Sequence, residues 1–307
     1  MPSQAPPPPA SYAREVLRLL RPHQWAKNGL LLLPLFLAHE LTDPGKLGRA
    51  LLGVVGFSLL ASAVYVINDW RDIDADRRHP DKCRRPLARG SVPPSHALPL
   101  AAVLAAAALT GAHLWTSSAF FGILLTYLVA NVLYSFGLKR VPILDVLLLT
   151  CMYLFRIHGG GAAAGVPVTG WLTLFSLWFF LSIAFGKRYQ ELREARADGV
   201  EADAKVRGYQ VGDTEAVGVL GLCAGVAAVF VLIRYVRGEQ ASELYQSSEL
   251  LWPACLPVLY WIGRFWRLNF KGRMRHDPVL FALKDPTSYV AAALTAAIVL
   301  AARHIVL

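Results

Sequence analysis

The stretch GRALLGVVGFSLLASAVYVINDWRDIDAD, residues 48–76, joins a long apolar run to a cluster of carboxylates. The apolar part extends over roughly 20 residues, which is the length a helix needs to cross a hydrocarbon core about 30 Å thick. The carboxylates follow directly at its end. The stretch therefore predicts a membrane-spanning helix that carries an acidic group at one membrane surface.

Similar apolar runs recur along the whole chain. The sequence of 307 residues is 55% hydrophobic and only 17% charged, whereas soluble domains carry about 25% charged residues. We predict an all-α membrane protein, a bundle of about nine transmembrane helices with its active-site loops in the cytoplasm. The predicted spans are 28–40, 48–69, 96–116, 119–137, 142–163, 169–186, 216–236, 249–266 and 287–306.

The two ends of the chain differ in character. Residues 1–13 contain the run Pro6 to Pro9, which predicts a disordered tail without a cleavable signal peptide. Residues 14–307 are predicted to form a single transmembrane domain. The four cysteines are scattered without paired spacing, so we interpret them as packing residues and not as metal or disulfide sites.

The basic residues indicate the orientation of the chain. If the N-terminus is cytoplasmic, twenty-five of the 31 Lys and Arg residues lie in cytoplasmic segments. This asymmetry predicts a multi-pass protein of the inner (cytoplasmic) membrane, with its N-terminus and active site in the cytoplasm. A net charge of +10 also suits nucleic acid, but basic residues placed in loops between spans favour lipid headgroups or phosphates.

Three carboxylates form the strongest chemical signal. Asp69, Asp72 and Asp76 are spaced i, i+3 and i+7, and on one helix they share a face. They would repel one another unless a cation lay among them, and Mg²⁺ prefers one or two carboxylates together with waters and phosphate oxygens. We predict that these three bind Mg²⁺ and a diphosphate, with Asn68 beside them; the alternative is a solvated acidic helix end.

Basic residues follow the carboxylates at once. Lys82 and Arg85 lie in the segment KCRRPL, residues 82–87, where they could neutralise the diphosphate charge that a metal leaves over. We therefore place Asp69, Asp72, Lys82 and Arg85 in the catalytic group. Ordinary topogenic charge is the alternative explanation for the two basic residues.

These motifs resemble those of the UbiA superfamily of intramembrane prenyltransferases over essentially residues 14–306. The NDxxDxxxD pattern at 68–76, the KxRP pattern at 82–86 and the NxxYSxxLK pattern at 131–139 carry the resemblance, with Asp145 following in its usual place. The resemblance implies substrate-binding roles for Asn131, Tyr134, Ser135 and Lys139.

One segment departs from the aromatic-acceptor members, which carry a second acidic motif after the sixth helix. Here residues 186–192 read GKRYQEL, and Lys187 with Arg188 suits an added phosphate better than a second Mg²⁺. Together with RPHQWAKN at 21–28 and HDPVLFALKD at 276–285, this segment resembles the decaprenyl-phosphate phosphoribosyltransferase branch. The remaining substrate-binding residues implied by that branch are Lys27, Asn28, Lys187, Arg188, Tyr189 and Glu191.

That branch transfers 5-phosphoribose from phosphoribosyl diphosphate to a polyprenyl phosphate, and the resemblance implies that the phosphoribosyl lipid so formed is a precursor of cell-wall arabinan. The resemblance thus implies Mg²⁺ as cofactor and these two substrates as partners, in a lipid bilayer and without nucleic acid; a homo-oligomer is left open. Two alternatives remain, a prenyltransferase that attaches an isoprenoid diphosphate to an aromatic or other small acceptor, and a non-catalytic transporter or lipid carrier. Arg156, deep within a predicted span, serves either a substrate pocket or a structural contact.

Overall fold

A computed structural model describes residues 12–274 and 278–305. Within these ranges seven helices are long and apolar enough to cross a membrane, and the chain is a multi-span, predominantly helical membrane protein. Each of these seven helices coincides with a predicted span. The seven helices are α3 (Pro44–Arg71), α5 (Pro94–Trp115), α6 (Ser118–Phe136), α7 (Leu144–Ala164), α8 (Gly170–Ala197), α9 (Thr214–Val236) and α13 (Pro286–His304).

The other two predicted spans are built from shorter pieces. Of residues 28–40, those up to 37 fall in the 3₁₀ helix Pro22–Leu32 and in α2 (Leu33–Leu37), and 38–40 follow in a turn. Residues 249–266 fall in the 3₁₀ helix Ser248–Ala254 and in α11 (Cys255–Phe270). Proline explains both interruptions, because Pro34 and Pro253 have no N–H to donate to the preceding turn. The count of nine spans stays a prediction, as does the side of the membrane on which the loops lie.

The remaining elements are short. The helices are α1 (Tyr12–Leu20), α4 (Ile73–Arg78), α10 (Glu239–Leu244) and α12 (Pro278–Ala282), with 3₁₀ turns at Lys82–Arg84, Leu138–Arg140 and Val211–Asp213. Strands β1 (Lys205–Val206) and β2 (Tyr209–Gln210) form an antiparallel hairpin in which Lys205 pairs with Gln210. The predicted tail, residues 1–13, lies outside the described residues except for its last two.

The described chain divides into two compact units, one within residues 12–132 and 159–166 and the other within residues 133–158, 167–274 and 278–305. The single-domain organisation therefore stays a prediction. In the first unit, α3 packs along α5, and the buried side chains between them continue to Leu19 of α1 and Leu87 of the 85–92 segment. This core brings α1 and the 85–92 segment to the acidic end of α3.

In the second unit, α8 packs along α9, with Trp266 of α11 filling the space beside them. Gly221 of α9 permits this packing, because a Cβ there would lie 2.3 Å from the Trp266 ring. The indole N–H of Trp266 donates to Ser182, 2.9 Å away. Helix α8 is longer than the predicted span and reaches Ala197, so residues 187–192 lie on a helix and not in a loop.

The start of α13 gives a role to one residue of the 276–285 segment, of which 276 and 277 lie outside the described residues. The Asp285 carboxylate accepts a hydrogen bond from the backbone N–H of Ser288 at 2.9 Å. It also accepts hydrogen bonds from both terminal guanidinium nitrogens of Arg264, at 2.7 and 2.8 Å. Burial opposes ionisation of this carboxyl, but the hydrogen bonds from Arg264 and Ser288 outweigh it and lower the pKa of Asp285 below its usual value.

Asp285→Ala is expected to lower the free energy of unfolding by about 0.5–2 kcal/mol, because the helix loses its N-cap. Since the folded-state pKa is lowered, the stabilisation is present above the usual aspartate pKa and is lost as the pH falls through the lower, folded-state value. Thermal unfolding in detergent as a function of pH measures both effects. An Asp285→Ala protein with the melting temperature of the wild type would contradict the capping role.

Candidate functional site

The acidic motif lies where α3 passes into α4. Helix α3 ends at Arg71, and Asp72 continues the turn: its N–H donates to the Asn68 carbonyl at 3.0 Å, and the Asp76 N–H donates to the Asp72 carbonyl at 2.8 Å. The two helices therefore follow each other almost without a break. Asp69 and Asp76 are buried, whereas the Asp72 side chain is 36% exposed and pairs with Arg71.

Arg85 joins the two buried carboxylates. One terminal nitrogen of its guanidinium lies 3.0 Å from Asp69 Oδ1 and 2.7 Å from Asp76 Oδ2. A charge-assisted hydrogen bond to each carboxylate offsets the cost of burying them. The structure thus brings together three of the predicted site residues, Asp69, Asp76 and Arg85, with a guanidinium group between the carboxylates.

Arg21 is a second cation at this place, and the sequence prediction missed it. Its guanidinium lies 2.5 Å from Asp69 Oδ1 and stacks on the Tyr65 ring at 5.1 Å. Arg21 has a positive φ of 55° and precedes the 3₁₀ helix that begins at Pro22. The sequence places Arg21 directly before a proline, which indicates a special backbone conformation there. No pattern in the sequence, however, predicts a contact between residues 21 and 69.

The other predicted site residues of the first unit have varied surroundings. The Asn28 side chain is buried and donates to Ser58 Oγ at 2.9 Å, while the Asn131 side chain donates to the Tyr127 carbonyl of its own helix at 2.7 Å. Lys27, Asn68 and Lys82 are half-buried. Asn28 and Asn131 therefore stabilise the local fold whatever else they contact.

Side chains of the types that bind metals occur throughout the described residues, 12–274 and 278–305. Among these, no group of three His, Cys, Asp or Glu side chains is arranged to hold a metal ion. The two buried carboxylates of Asp69 and Asp76 nevertheless converge on one point, now taken by Arg85. Two carboxylates are sufficient for Mg²⁺, which completes its shell with water and phosphate oxygens, so the donor set fits that ion.

A second polar cluster lies in the second unit around Arg188, which is 1% exposed. Its guanidinium forms ion pairs with Asp145 and Glu191 and donates to the Tyr134 hydroxyl at 3.1 Å. Tyr134 donates in turn to Asp145 Oδ1 at 2.9 Å. This arrangement differs from the predicted phosphate contact of Arg188, because the hydrogen-bonding capacity of the guanidinium is directed at protein groups.

The hairpin of β1 and β2 packs against the segment that leads into this cluster. The Ile143 N–H donates to the Tyr209 hydroxyl at 2.8 Å, and Ile143 has a φ of 64°, a left-handed conformation that is unfavourable for a β-branched residue. Burial raises the pKa of the Tyr209 phenol above its usual value, so the hydroxyl stays protonated. The hairpin therefore supports the chain just before Asp145.

The remaining predicted site residues of the second unit lie on helices α6, α7 and α8 or in the turn after α6. Tyr189 is buried and packs edge-on against Phe270, with ring centroids 5.3 Å apart. Arg156 is buried, donates to the Met152 carbonyl at 2.5 Å and lies over the Tyr153 ring, which are structural contacts. Ser135 is buried, Lys187 is half-buried, and Lys139 lies in the 3₁₀ turn after α6.

The chain is similar to several known proteins. It is 31% identical to the decaprenyl-phosphate phosphoribosyltransferase of Mycobacterium tuberculosis, covering 91% of this chain and 90% of that protein. It is 34% identical to the nodulation protein NoeC of Azorhizobium caulinodans, covering 88% and 87%. It is also 34% identical to the uncharacterized protein y4nM of Sinorhizobium fredii, covering 92% of this chain but 55% of that longer protein.

The fold has a counterpart among solved structures. A UbiA homologue from Archaeoglobus fulgidus, bound to DMAPP and Mg²⁺, superposes with a TM-score of 0.69 over 95% of this chain and 100% of that one, at 17% identity. The model of the UbiA prenyltransferase family matches residues 30–284. With most of its length matched by that model and the same helical fold, this chain belongs to the UbiA prenyltransferase family.

Proposed function

We propose that this protein transfers 5-phosphoribose from phosphoribosyl diphosphate to a polyprenyl phosphate and releases diphosphate. The observation that carries the proposal is the similarity to the mycobacterial decaprenyl-phosphate phosphoribosyltransferase along nine-tenths of both chains. Lys187 supports it, because it stands where the resemblance implies a carboxylate-rich motif in aromatic-acceptor members of the family. The polyprenyl acceptor suits an enzyme whose helices are embedded in lipid.

Mg²⁺ would be held by Asp69 and Asp76 with Asp72, and when bound it would neutralise the negative charge on the departing diphosphate. Arg85 is proposed to move from its place between Asp69 and Asp76 to the diphosphate, where its planar guanidinium could bind two oxygens at once. Arg21 then keeps Asp69 paired. Lys82, three residues before Arg85, supplies further positive charge for the diphosphate.

The acceptor phosphate is already an anion at neutral pH, so the reaction needs no strong general base. Catalysis would then consist of positioning the two substrates and stabilising the charge on the leaving diphosphate. Lys187 is proposed to bind an anionic oxygen of a substrate. Arg188, which binds Asp145, Glu191 and Tyr134, is proposed to fix those groups in place instead.

The proposal is tested by a transfer assay with purified protein in lipid, Mg²⁺ and a polyprenyl phosphate. Phosphoribosyl diphosphate labelled in the ribose should yield a labelled lipid, whereas the same donor labelled in the diphosphate should yield only labelled diphosphate. Protein carrying Asp69→Asn is the matched control for contaminating activity. Wild-type protein that gives no labelled lipid with any polyprenyl phosphate would refute the proposal.

A second candidate activity is transfer of an isoprenoid group from its diphosphate to an aromatic or other small acceptor. The solved structure with DMAPP and Mg²⁺ favours it, since that protein shares the fold. The same preparation should therefore be given a labelled isoprenoid diphosphate and a mixture of aromatic acceptors. A labelled aromatic product without a phosphoribosyl lipid would replace the first proposal by the second.

Lys187→Ala is expected to raise the KM for phosphoribosyl diphosphate about 10-fold, because one charge-assisted hydrogen bond is lost, and to change the KM for the lipid much less. Lys205→Ala is the matched control, since Lys205 is an exposed lysine of the hairpin in the same unit. Steady-state kinetics with each substrate varied separately measures the effect. Equal and small changes in both KM values would contradict the role of Lys187.

A further inference from the structure

Glu15 is a buried carboxylate that the proposed reaction does not use. It lies on α1, a helix outside the seven membrane-spanning ones, and is 2% exposed. Its partners are Arg18 on the same helix, at 2.8 Å, and two residues of a distant segment, Arg89 and Ser91. Burying an unpaired carboxylate costs several kcal/mol. Glu15 is paired, and two of its partners lie more than 70 residues away in the sequence.

The 85–92 segment that Glu15 binds is a compact turn. The Arg89 N–H donates to the Arg85 carbonyl at 3.0 Å, and the Val92 N–H donates to the Pro86 carbonyl at 3.3 Å. Ser91 Oγ lies 2.9 Å from Glu15 Oε2 and 3.2 Å from the Pro86 carbonyl oxygen. Glu15 therefore binds the second half of the turn directly, at Arg89 and Ser91, and those two residues are in turn hydrogen-bonded to Arg85 and Pro86 at its start.

Arg85 is the first residue of this turn, and its guanidinium lies between Asp69 and Asp76. Leu87, two residues later, is fully buried against Leu19 of α1. The backbone that carries Arg85 is thus fixed against α1 by an apolar contact and by the Glu15 ion pair. Both contacts belong to the first unit.

The Glu15 carboxylate is ionised in this place. Burial alone would raise its pKa, but the hydrogen bonds from Arg89 and Ser91, together with the charges of Arg89 and Arg18, bring the pKa below the usual value. The ion pair with Arg89 is therefore complete at neutral pH. Removing this ion pair would weaken the attachment of the 85–92 turn without changing a side chain of the acidic motif.

We propose that Glu15 is a positioning residue, which holds the 85–92 turn through Arg89 and Ser91 and thereby places Arg85 for the donor diphosphate. The part that concerns the diphosphate rests on the proposed function. The part that concerns the turn does not. Helix α1 then takes part in substrate binding indirectly, through the 85–92 turn.

The test uses Glu15→Gln in the full chain and measures two quantities. The first is hydrogen exchange of the backbone amides in residues 85–92, which should become about 10-fold faster because a charge-assisted hydrogen bond is lost. The second is the KM for phosphoribosyl diphosphate, which should rise about 10-fold while kcat changes less than about 3-fold. Exchange in the hairpin of residues 205–210 should be unchanged.

Three further variants, two single and one double, keep the test decisive. Glu40→Gln is the matched control, since Glu40 pairs with Lys46 at the other end of α3 and should leave both quantities unchanged. Arg89→Gln should reproduce the Glu15→Gln effect, and the double variant should be no worse than either single one; because Arg89 is exposed, it also serves if Glu15→Gln does not fold.

The outcomes separate this inference from the proposed function. Wild-type exchange rates at residues 85–92 in both single variants would overturn the role of Glu15, whatever the enzyme transfers. Faster exchange with an unchanged donor KM would overturn its link to Arg85. If the wild type transfers no phosphoribose, the proposed function fails, and the exchange rates still decide whether Glu15 holds the turn.

Discussion

Asp69→Asn is expected to lower kcat/KM at least about 100-fold, which is the usual effect of removing an important electrostatic group from an active site. Asp69 is 3% exposed and lies within hydrogen-bonding distance of both Arg21 and Arg85. An asparagine keeps the shape but not the charge, so it would bind Mg²⁺ weakly, would remove the carboxylate that pairs with Arg21 and would leave Arg85 with Asp76 alone.

The matched control is Asp74→Asn, in the same motif. Asp74 lies on α4 with its side chain 80% exposed and pairs with Arg77 at 3.3 Å, so its loss should change kcat/KM less than about 2-fold, as exposed ion pairs contribute little. Initial rates at saturating Mg²⁺, with melting temperatures of all variants, measure the difference. Asp69→Asn protein that keeps more than about a tenth of wild-type activity would exclude a metal-binding role for Asp69.

Asp72 distinguishes a metal site from a purely structural ion-pair cluster. Its side chain is 36% exposed, so Asp72→Asn should hardly change the melting temperature. If the carboxylates bind Mg²⁺, it should nevertheless lower activity at least about 100-fold at limiting Mg²⁺. If Asp69 and Asp76 serve only to hold Arg85, Asp72→Asn should keep near-normal activity at every Mg²⁺ concentration.

The membrane spans could be predicted from the sequence because the bilayer imposes a simple rule on length and polarity. That rule is strong for α3, with its unbroken apolar run, and weak where proline changes the helix type. Hydropathy cannot distinguish one long helix from a 3₁₀ piece followed by a short α-helix, as at Pro22–Leu32 and Leu33–Leu37. It also could not show that α8 continues past its apolar part to Ala197.

The acidic motif was predicted as a group because its members are near in sequence. One partner of Asp69, in contrast, is Arg21, 48 residues earlier, and two of the partners of Glu15 are more than 70 residues later. Such pairs depend on how α1 packs on α3, which local spacing does not encode. For the same reason, the sequence suggested that Arg188 faces a phosphate, and only its distance to Asp145 indicates otherwise.

Arg188→Ala is expected to lower the free energy of unfolding by about 3–5 kcal/mol, because it leaves a fully buried carboxylate without its counterion. Asp145 is 0% exposed and is bound by Arg188 and Tyr134. Arg188→Lys keeps the charge but has no planar group to bind Asp145, Glu191 and Tyr134 together, so it should recover only part of the stability. Thermal unfolding in detergent measures these changes.

The double variant Asp145→Asn with Arg188→Gln removes both charges and should recover most of the lost stability, since a buried ion pair can often be replaced by neutral groups at little cost. Its donor kinetics then separate the two roles of Arg188. If Arg188 only organises the cluster, the double variant should bind phosphoribosyl diphosphate with a KM within about 3-fold of the wild type.

If Arg188 instead contacts a donor phosphate, the double variant should recover its stability but not its affinity for phosphoribosyl diphosphate. The double variant would fold normally, yet its donor KM would be raised about 10-fold or more, because a charge-assisted contact to the phosphate is missing. Asp145→Asn alone is the control for the loss of the carboxylate. A stable double variant with a strongly raised donor KM would therefore restore Arg188 to the substrate site and show that its guanidinium leaves Asp145 when the donor binds.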